Sequence, residues 1–190
     1  NIATVAREKG IETRTDFFTK KLSQDLAAEN QPDLILANNV FAHAPDINDF
    51  VAGIKTLLAQ EGRAIFEFPH ALEMFVQNEF DTIYHEHVFY FTLIALQPLM
   101  ARHELRITRV ERTPLHGGSI RIFVRHDSHA ADESVAALCE EENQMGVDSL
   151  GYYQNLAGHA AAIRKALRAQ IAIVKAEGKT LAAYGATAKS

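Results

Sequence analysis

The chain has 190 residues, 47% hydrophobic and 23% charged, and its 24 acidic side chains outweigh 19 basic ones for a net charge of −5. This is the profile of a globular protein of one domain, or of one domain and part of another, with length enough to bury about 70% of its unfolded surface. A single cysteine, Cys139, excludes an internal disulfide framework and a multi-cysteine zinc site, the charge balance excludes nucleic acid as main partner, and no apolar run nears the ~18 residues of a membrane span, so a cytoplasmic setting is expected.

Ile2, Val5 and Ala6 stand at helical spacing, and Gly10 ends that turn. Ile11 to Phe18 reads as a short strand. Thr19 to Glu29 reads as a polar amphipathic helix with Leu22 and Leu26 on one face. Asp33-Leu34-Ile35-Leu36-Ala37, between Pro32 and Asn38-Asn39, suits a strand buried on both faces, as in a parallel sheet. Asp46 is placed to cap a helix whose Phe50, Ile54, Leu57 and Leu58 share a face, and Gly62 stops it. Arg63 to Phe68 is another buried strand, ended by Pro69. The alternation predicts a doubly wound α/β sheet, in which right-handed crossovers put the ligand crevice at the carboxyl ends of the strands. Two of those ends are Asn38-Asn39 and Glu67 to His70.

A short helix (71–77), an irregular stretch and a helix from about Thr92 to His103 follow. Leu105 to Thr113 and Ser119 to Arg125 then read as a β-hairpin around Pro114 to Gly118, with Ile120, Ile122 and Val124 on one face. His126 to Asp132 is polar and linker-like, and Ser134 to Met145 is an acidic helix. Leu150 to Lys175 is a long helix with Leu156, Ala160, Ile163, Leu167, Ile171 and Val174 three and four apart, like a connection between two lobes. Thr180 to Tyr184 reads as a strand running into a turn at Gly185. The chain opens at Asn1, inside a helical pattern, and a fragment is expected.

The densest chemistry is Tyr84-His85-Glu86-His87, preceded by Phe80-Asp81-Thr82-Ile83. Histidine moves protons near neutrality, a carboxylate can orient an imidazole, and a tyrosine can donate to a developing oxyanion. The alternative is a solvated loop. His85 and His87, with Glu67, Glu86 or His43, could supply metal ligands, but that spacing is weak evidence and no metal is expected. Asn38-Asn39-Val40-Phe41-Ala42-His43 leaves a strand end, where it lines a crevice or only caps a turn. His116-Gly117-Gly118-Ser119 lies in the hairpin connection, where the glycines serve the turn or let a ligand approach. Phe17-Phe18 is core or an aromatic platform, and Cys139 is inert packing or surface.

Four segments in order, Asn38 to His43, Phe80 to His87, His116 to Arg121 and Tyr184 to Lys189, together resemble the S-adenosylmethionine-dependent sugar C-methyltransferases that methylate carbon 3 of nucleotide-activated 4-keto-deoxysugars. The resemblance covers nearly the whole chain and implies a partial class I methyltransferase Rossmann-like sheet ending in an antiparallel hairpin. It implies a partial methyltransferase domain over 1–128, a helical linker over 129–179 and the start of a nucleotide-sugar-binding α/β lobe over 180–190. It places zinc only in an N-terminal cysteine-rich module outside this chain. By resemblance, His87 is the base that takes the carbon 3 proton, Tyr84 and Glu86 position it or stabilise the enolate, and His43 contacts the keto oxygen. Asn38 and Asn39 lie near the methionine end of S-adenosylmethionine, Phe17 and Phe18 near its adenine. His116, Gly117 and Ser119 line the sugar side, and Lys189 faces the nucleotide phosphates. The alternatives are a small-molecule O-methyltransferase of the same fold, an NAD-dependent nucleotide-sugar dehydrogenase or epimerase, and a non-catalytic nucleotide-sugar-binding module.

Overall fold

The computed structural model describes residues 2–183. Helix α1 (Ile2–Glu8) ends at Gly10, whose φ of +78° suits glycine. Helix α2 (Lys20–Glu29) starts where the Thr19 hydroxyl accepts the Leu22 N–H. Strand β1 (Leu34–Asn38) leads through a short 3₁₀ turn, Phe41–His43, to α3 (Ile47–Leu57), which the Asp46 carboxylate caps by accepting the Asp49 N–H. Then come β2 (Arg63–Pro69), α4 (Ala71–Val76), a 3₁₀ turn at Phe80–Thr82, and α5 (Leu93–Arg102), capped by Thr92. The hairpin is β3 (Leu105–Thr113) and β4 (Ser119–His126), followed by α6 (Glu133–Met145) and α7 (Leu150–Ala176).

The sheet order is β1-β2-β4-β3. β1 and β2 are parallel, with Leu34 opposite Arg63 and Asn38 opposite Glu67. β4 lies between β2 and β3 and is antiparallel to both. A parallel pair closed by an antiparallel hairpin is the expected class I terminal topology. Ala64, Phe66, Phe68, Ile120, Ile122 and Val124 are fully buried on one face of the sheet. Val51 and Ile54 of α3, Leu93, Leu96 and Met100 of α5, and Val135 and Leu138 of α6 complete that core.

Three expectations are corrected. Residues 11–18 form no strand, because nothing among the described residues pairs with the outer edge of β1. That segment is held by side chains instead. The Arg7 guanidinium donates to the Thr13 carbonyl, the Lys20 N–H donates to the Asp49 carboxylate, and Phe18 packs edge-on against Phe50 at 5.0 Å. β1 is not buried on both faces. Among the described residues it is the edge strand, and Leu34 and Leu36 are 53% and 62% exposed, while Ala37 on the alternate face is buried. Residues 180–183 carry no regular structure, and Tyr184 to Lys189 lie outside the described residues.

α7 has no buried residue, and its apolar stripe stays open at Ile163 and Leu167. Its N-terminal turns lean on α4, where Phe75 meets Tyr152 and Tyr153 at 5.6 and 4.9 Å.

Candidate active site

The carboxyl ends of β1 and β2 lie side by side, and a cavity of about 400 Å³ opens there. Asn39 turns the chain out of β1 with φ +53°, its N–H donating to the Glu67 carbonyl at 2.7 Å. Asparagine tolerates that left-handed backbone better than most residues. The 3₁₀ turn that follows delivers His43 to the cavity, and the 80–90 loop supplies the opposite wall. The Val88 N–H donates to the Ala42 carbonyl at 3.0 Å and ties the two together.

Within that wall the hydrogen bonds fix two imidazoles. His87 Nδ1 lies 2.9 Å from the Thr82 carbonyl and Nε2 lies 3.2 Å from the Tyr84 hydroxyl. A carbonyl only accepts, so Nδ1 carries a proton and donates, and the neutral ring has its lone pair on Nε2 facing Tyr84. His43 repeats the pattern, with Nδ1–H donating to the Glu86 carbonyl at 2.8 Å. The two imidazoles are neighbours, their centroids 5.0 Å apart, and the Tyr84 ring lies 4.3 Å from that of His87. Tyr90 stands behind, 6.0 Å from His87, and burial pushes its phenol pKa up.

The expected residues divide. His43, Tyr84, His87, Asn39 and His116 line the cavity. Glu86 does not. Its side chain is exposed and it contributes through its backbone carbonyl. Asn38 is the exposed last residue of β1 and lines neither cavity described here. Ser119 is buried, donating its hydroxyl to the Leu115 carbonyl at 2.9 Å. Gly117 acts by being small: a Cβ there would sit 1.6 Å from Oε1 of Glu79. Lys189 lies outside the described residues. Glu79 also lines the cavity from outside every quoted segment, and Asp81 and Thr82 line it from inside one, with no role assigned to them. Two of them flank Phe80 in the segment leading to the histidines, so proximity in sequence was their only signal.

A second, apolar groove of about 640 Å³ adjoins the first, lined by Phe17, Phe18, Val40, Ala44 and Phe50, with the carboxylates of Asp16, Asp46 and Asp49. Phe17 is 86% exposed, whereas Phe18 is anchored on Phe50. His43 belongs to both cavities. Among the described residues no cluster of histidine, cysteine, aspartate and glutamate has metal-binding geometry, and no helix is long and apolar enough to cross a membrane.

A buried knot ties α6 to the start of α5 and to the junction between β2 and α4. The Glu142 carboxylate of α6 accepts from the Leu93 N–H at 2.7 Å, the Ile94 N–H at 2.8 Å and Nε2–H of His70 at 2.7 Å. Both side chains are fully buried. A carboxylate suits the positive end of α5. His70 follows Pro69, itself part of the cavity wall.

This sheet order, with a cleft at the tips of a parallel pair, defines the class I methyltransferase fold. The crystal structure of an S-adenosylmethionine-dependent methyltransferase from Anabaena variabilis shares it, with a TM-score of 0.50 over 66% of this chain and 63% of that one, at 13% identity. A family model described as a methyltransferase domain matches residues 4–110, and the chain belongs to the S-adenosylmethionine-dependent methyltransferases. A second model, described as a C-methyltransferase C-terminal domain, matches residues 114–190. The C-methyltransferase NovU of Streptomyces niveus is 35% identical over 192 aligned residues, covering 100% of this chain and 46% of NovU. The chain thus spans about half the length of the curated relative it matches.

Proposed function

We propose that the protein is a C-methyltransferase that moves a methyl group from S-adenosylmethionine to carbon 3 of a nucleotide-linked 4-keto-deoxysugar through an enolate. The observation that carries this reading is the fixed ring of His87, with Nδ1–H held by the Thr82 carbonyl and the Nε2 lone pair turned to Tyr84. A 4-keto group acidifies the hydrogen on carbon 3. His87 Nε2 takes that proton, and the Thr82 carbonyl steadies the imidazolium that forms. The Tyr84 hydroxyl, displaced from Nε2 as the substrate enters, donates to the enolate oxygen, and His43, with a second proton on Nε2, donates to the same oxygen from the neighbouring wall. General-base catalysis contributes roughly 3–5 kcal/mol and one oxyanion donor about 3–4 kcal/mol.

The second groove fits a cofactor nucleoside. Phe17 and Phe18 offer aromatic walls for adenine, and the carboxylates at Asp16, Asp46 and Asp49 suit its amine and the ribose hydroxyls. Asn39, between groove and cavity, serves the methionine end. When bound, S-adenosylmethionine supplies the electrophilic methyl group. Lys189 remains the proposed contact to the nucleotide phosphates.

The test uses the intact protein with a nucleoside-diphosphate-linked 4-keto-6-deoxyhexose. His87→Ala abolishes methyl transfer and the exchange of the carbon 3 hydrogen with deuterium from solvent, while S-adenosylhomocysteine binds as before. A variant that turns over at the parent rate refutes the assignment.

A further inference from the structure

We propose that Glu79, seated on Gly117, reads the substituent on the reacting carbon, taking a hydroxyl or ammonium donor. The inference rests on the methyl-transfer reading above and names what that substrate must carry.

The cavity wall presents two carboxylates, Glu79 and Asp81, three imidazoles, a phenol and an amide, and no lysine or arginine among the described residues. A hydroxyl or an ammonium meets acceptors, and a hydrogen bond to an ionised acceptor is the stronger kind.

Of the two carboxylates, Glu79 is the more enclosed. It is half-buried, whereas Asp81 is exposed. Its carboxylate lies on the bare Cα of Gly117, where a Cβ would come within 1.6 Å of Oε1 and 2.3 Å of Cδ. Gly117 is in turn fixed by Gln77, whose side-chain amide donates to its carbonyl. The backbone of Glu79 is tied on both sides: its N–H donates to the Met74 carbonyl at 2.8 Å, and its carbonyl accepts the Thr82 hydroxyl at 2.7 Å. The carbonyl of that same Thr82 orients His87. One short segment therefore carries both Glu79 and the carbonyl that orients His87, and both residues line the same cavity. Gly117 is a positioning residue, acting through Glu79.

The experiment measures methyl transfer by the intact protein on nucleoside-diphosphate-linked 4-keto-6-deoxyhexoses with a hydroxyl, an amine or only hydrogen at carbon 3. Glu79→Gln is expected to raise KM for the hydroxyl and amino substrates about 10- to 100-fold, with kcat nearly kept and the 3-deoxy analogue unaffected. A larger rise for the amine identifies ammonium as the donor read, and a larger rise for the alcohol identifies hydroxyl. Gly117→Ala reproduces the KM rise, and the double variant is no worse than either single one. Binding of S-adenosylhomocysteine reports that each variant is folded. Should Gly117→Ala fail to fold, the near-isosteric Glu79→Gln decides alone. The proposal is overturned if Glu79→Gln leaves KM unchanged, or raises it equally for the 3-deoxy analogue. A wild type that turns over none of these sugars overturns the methyl-transfer reading and this inference together, whereas turnover with Glu79→Gln unaffected overturns this inference only.

Discussion

Replacing Glu142 by alanine strands three donors at once. Its carboxylate is fully buried and accepts from His70 Nε2–H and from the N–H groups of Leu93 and Ile94, all at 2.7–2.8 Å. A buried donor left without a partner costs about 1–3 kcal/mol. Thr92 still caps α5 through the Ala95 N–H, so the helix start is not abandoned altogether. The expected loss is about 3–5 kcal/mol, the range for breaking a buried pair from one side and a large share of the stability of an ordinary domain. For a chain this long the midpoint of thermal unfolding falls by roughly 6–20 °C. Glu142→Gln keeps an acceptor oxygen but turns an amide NH₂ toward a donor, and loses roughly half as much. Urea unfolding followed by circular dichroism measures both variants, since the chain has no tryptophan to report by fluorescence. Glu142→Ala within about 1 kcal/mol of wild type refutes the reasoning, because it means the three donors find other partners.

Phe17→Ala leaves stability within about 0.5 kcal/mol of wild type, since that ring is 86% exposed, but weakens S-adenosylhomocysteine about 5- to 100-fold by calorimetry. Unchanged affinity removes Phe17 from the proposed cofactor contacts. The His103 imidazole titrates below the usual histidine range by NMR, because burial, then Arg102, then Lys20 disfavour its charged form. Its contribution to stability is present above the ordinary histidine pKa and is lost as pH falls through the depressed one, and Arg102→Gln moves the midpoint upward. A midpoint insensitive to Arg102 contradicts that cause. Gly118→Ala destabilises more than Gly10→Ala. Both glycines have positive φ, but a Cβ on Gly118 meets Cβ of Glu73 at 2.7 Å while one on Gly10 meets open space. Positive φ costs about 1 kcal/mol at Gly10, and the excess at Gly118, read by urea unfolding, combines that clash with a backbone at φ +142° and ψ 105° that side chains rarely adopt. Equal losses would show that the hairpin loop yields.

What the sequence makes readable follows from the range of the forces involved. Ile120, Ile122 and Val124 alternate strictly, and that pattern alone sets which face of β4 is buried. Thr19, Asp46 and Thr92 announce helix starts because capping is a contact across three residues. Ile11 to Phe18 misleads because a strand needs a partner, and pairing is not written in the strand itself. Leu34 to Ala37 has the same composition at an edge as in the middle of a sheet, so its exposure was invisible. Glu142 follows Glu140 and Glu141 on an acidic helix and reads as solvated, while its partners lie 49 and 72 residues away. At the cleft, the density of Tyr84 to His87 stood out, but the division of labour did not. Glu86 turns outward and a backbone carbonyl, from Thr82, orients His87.

His43 is a party wall: one imidazole closes the apolar groove on one side and the polar cavity on the other. Whatever moves that ring for a tenant in either compartment moves it for both, and linkage makes the effect mutual, so each tenant alters the other's hold on the protein by the same factor. Order of arrival is then a matter of rates, while the joint occupancy is fixed by how one side chain is shared.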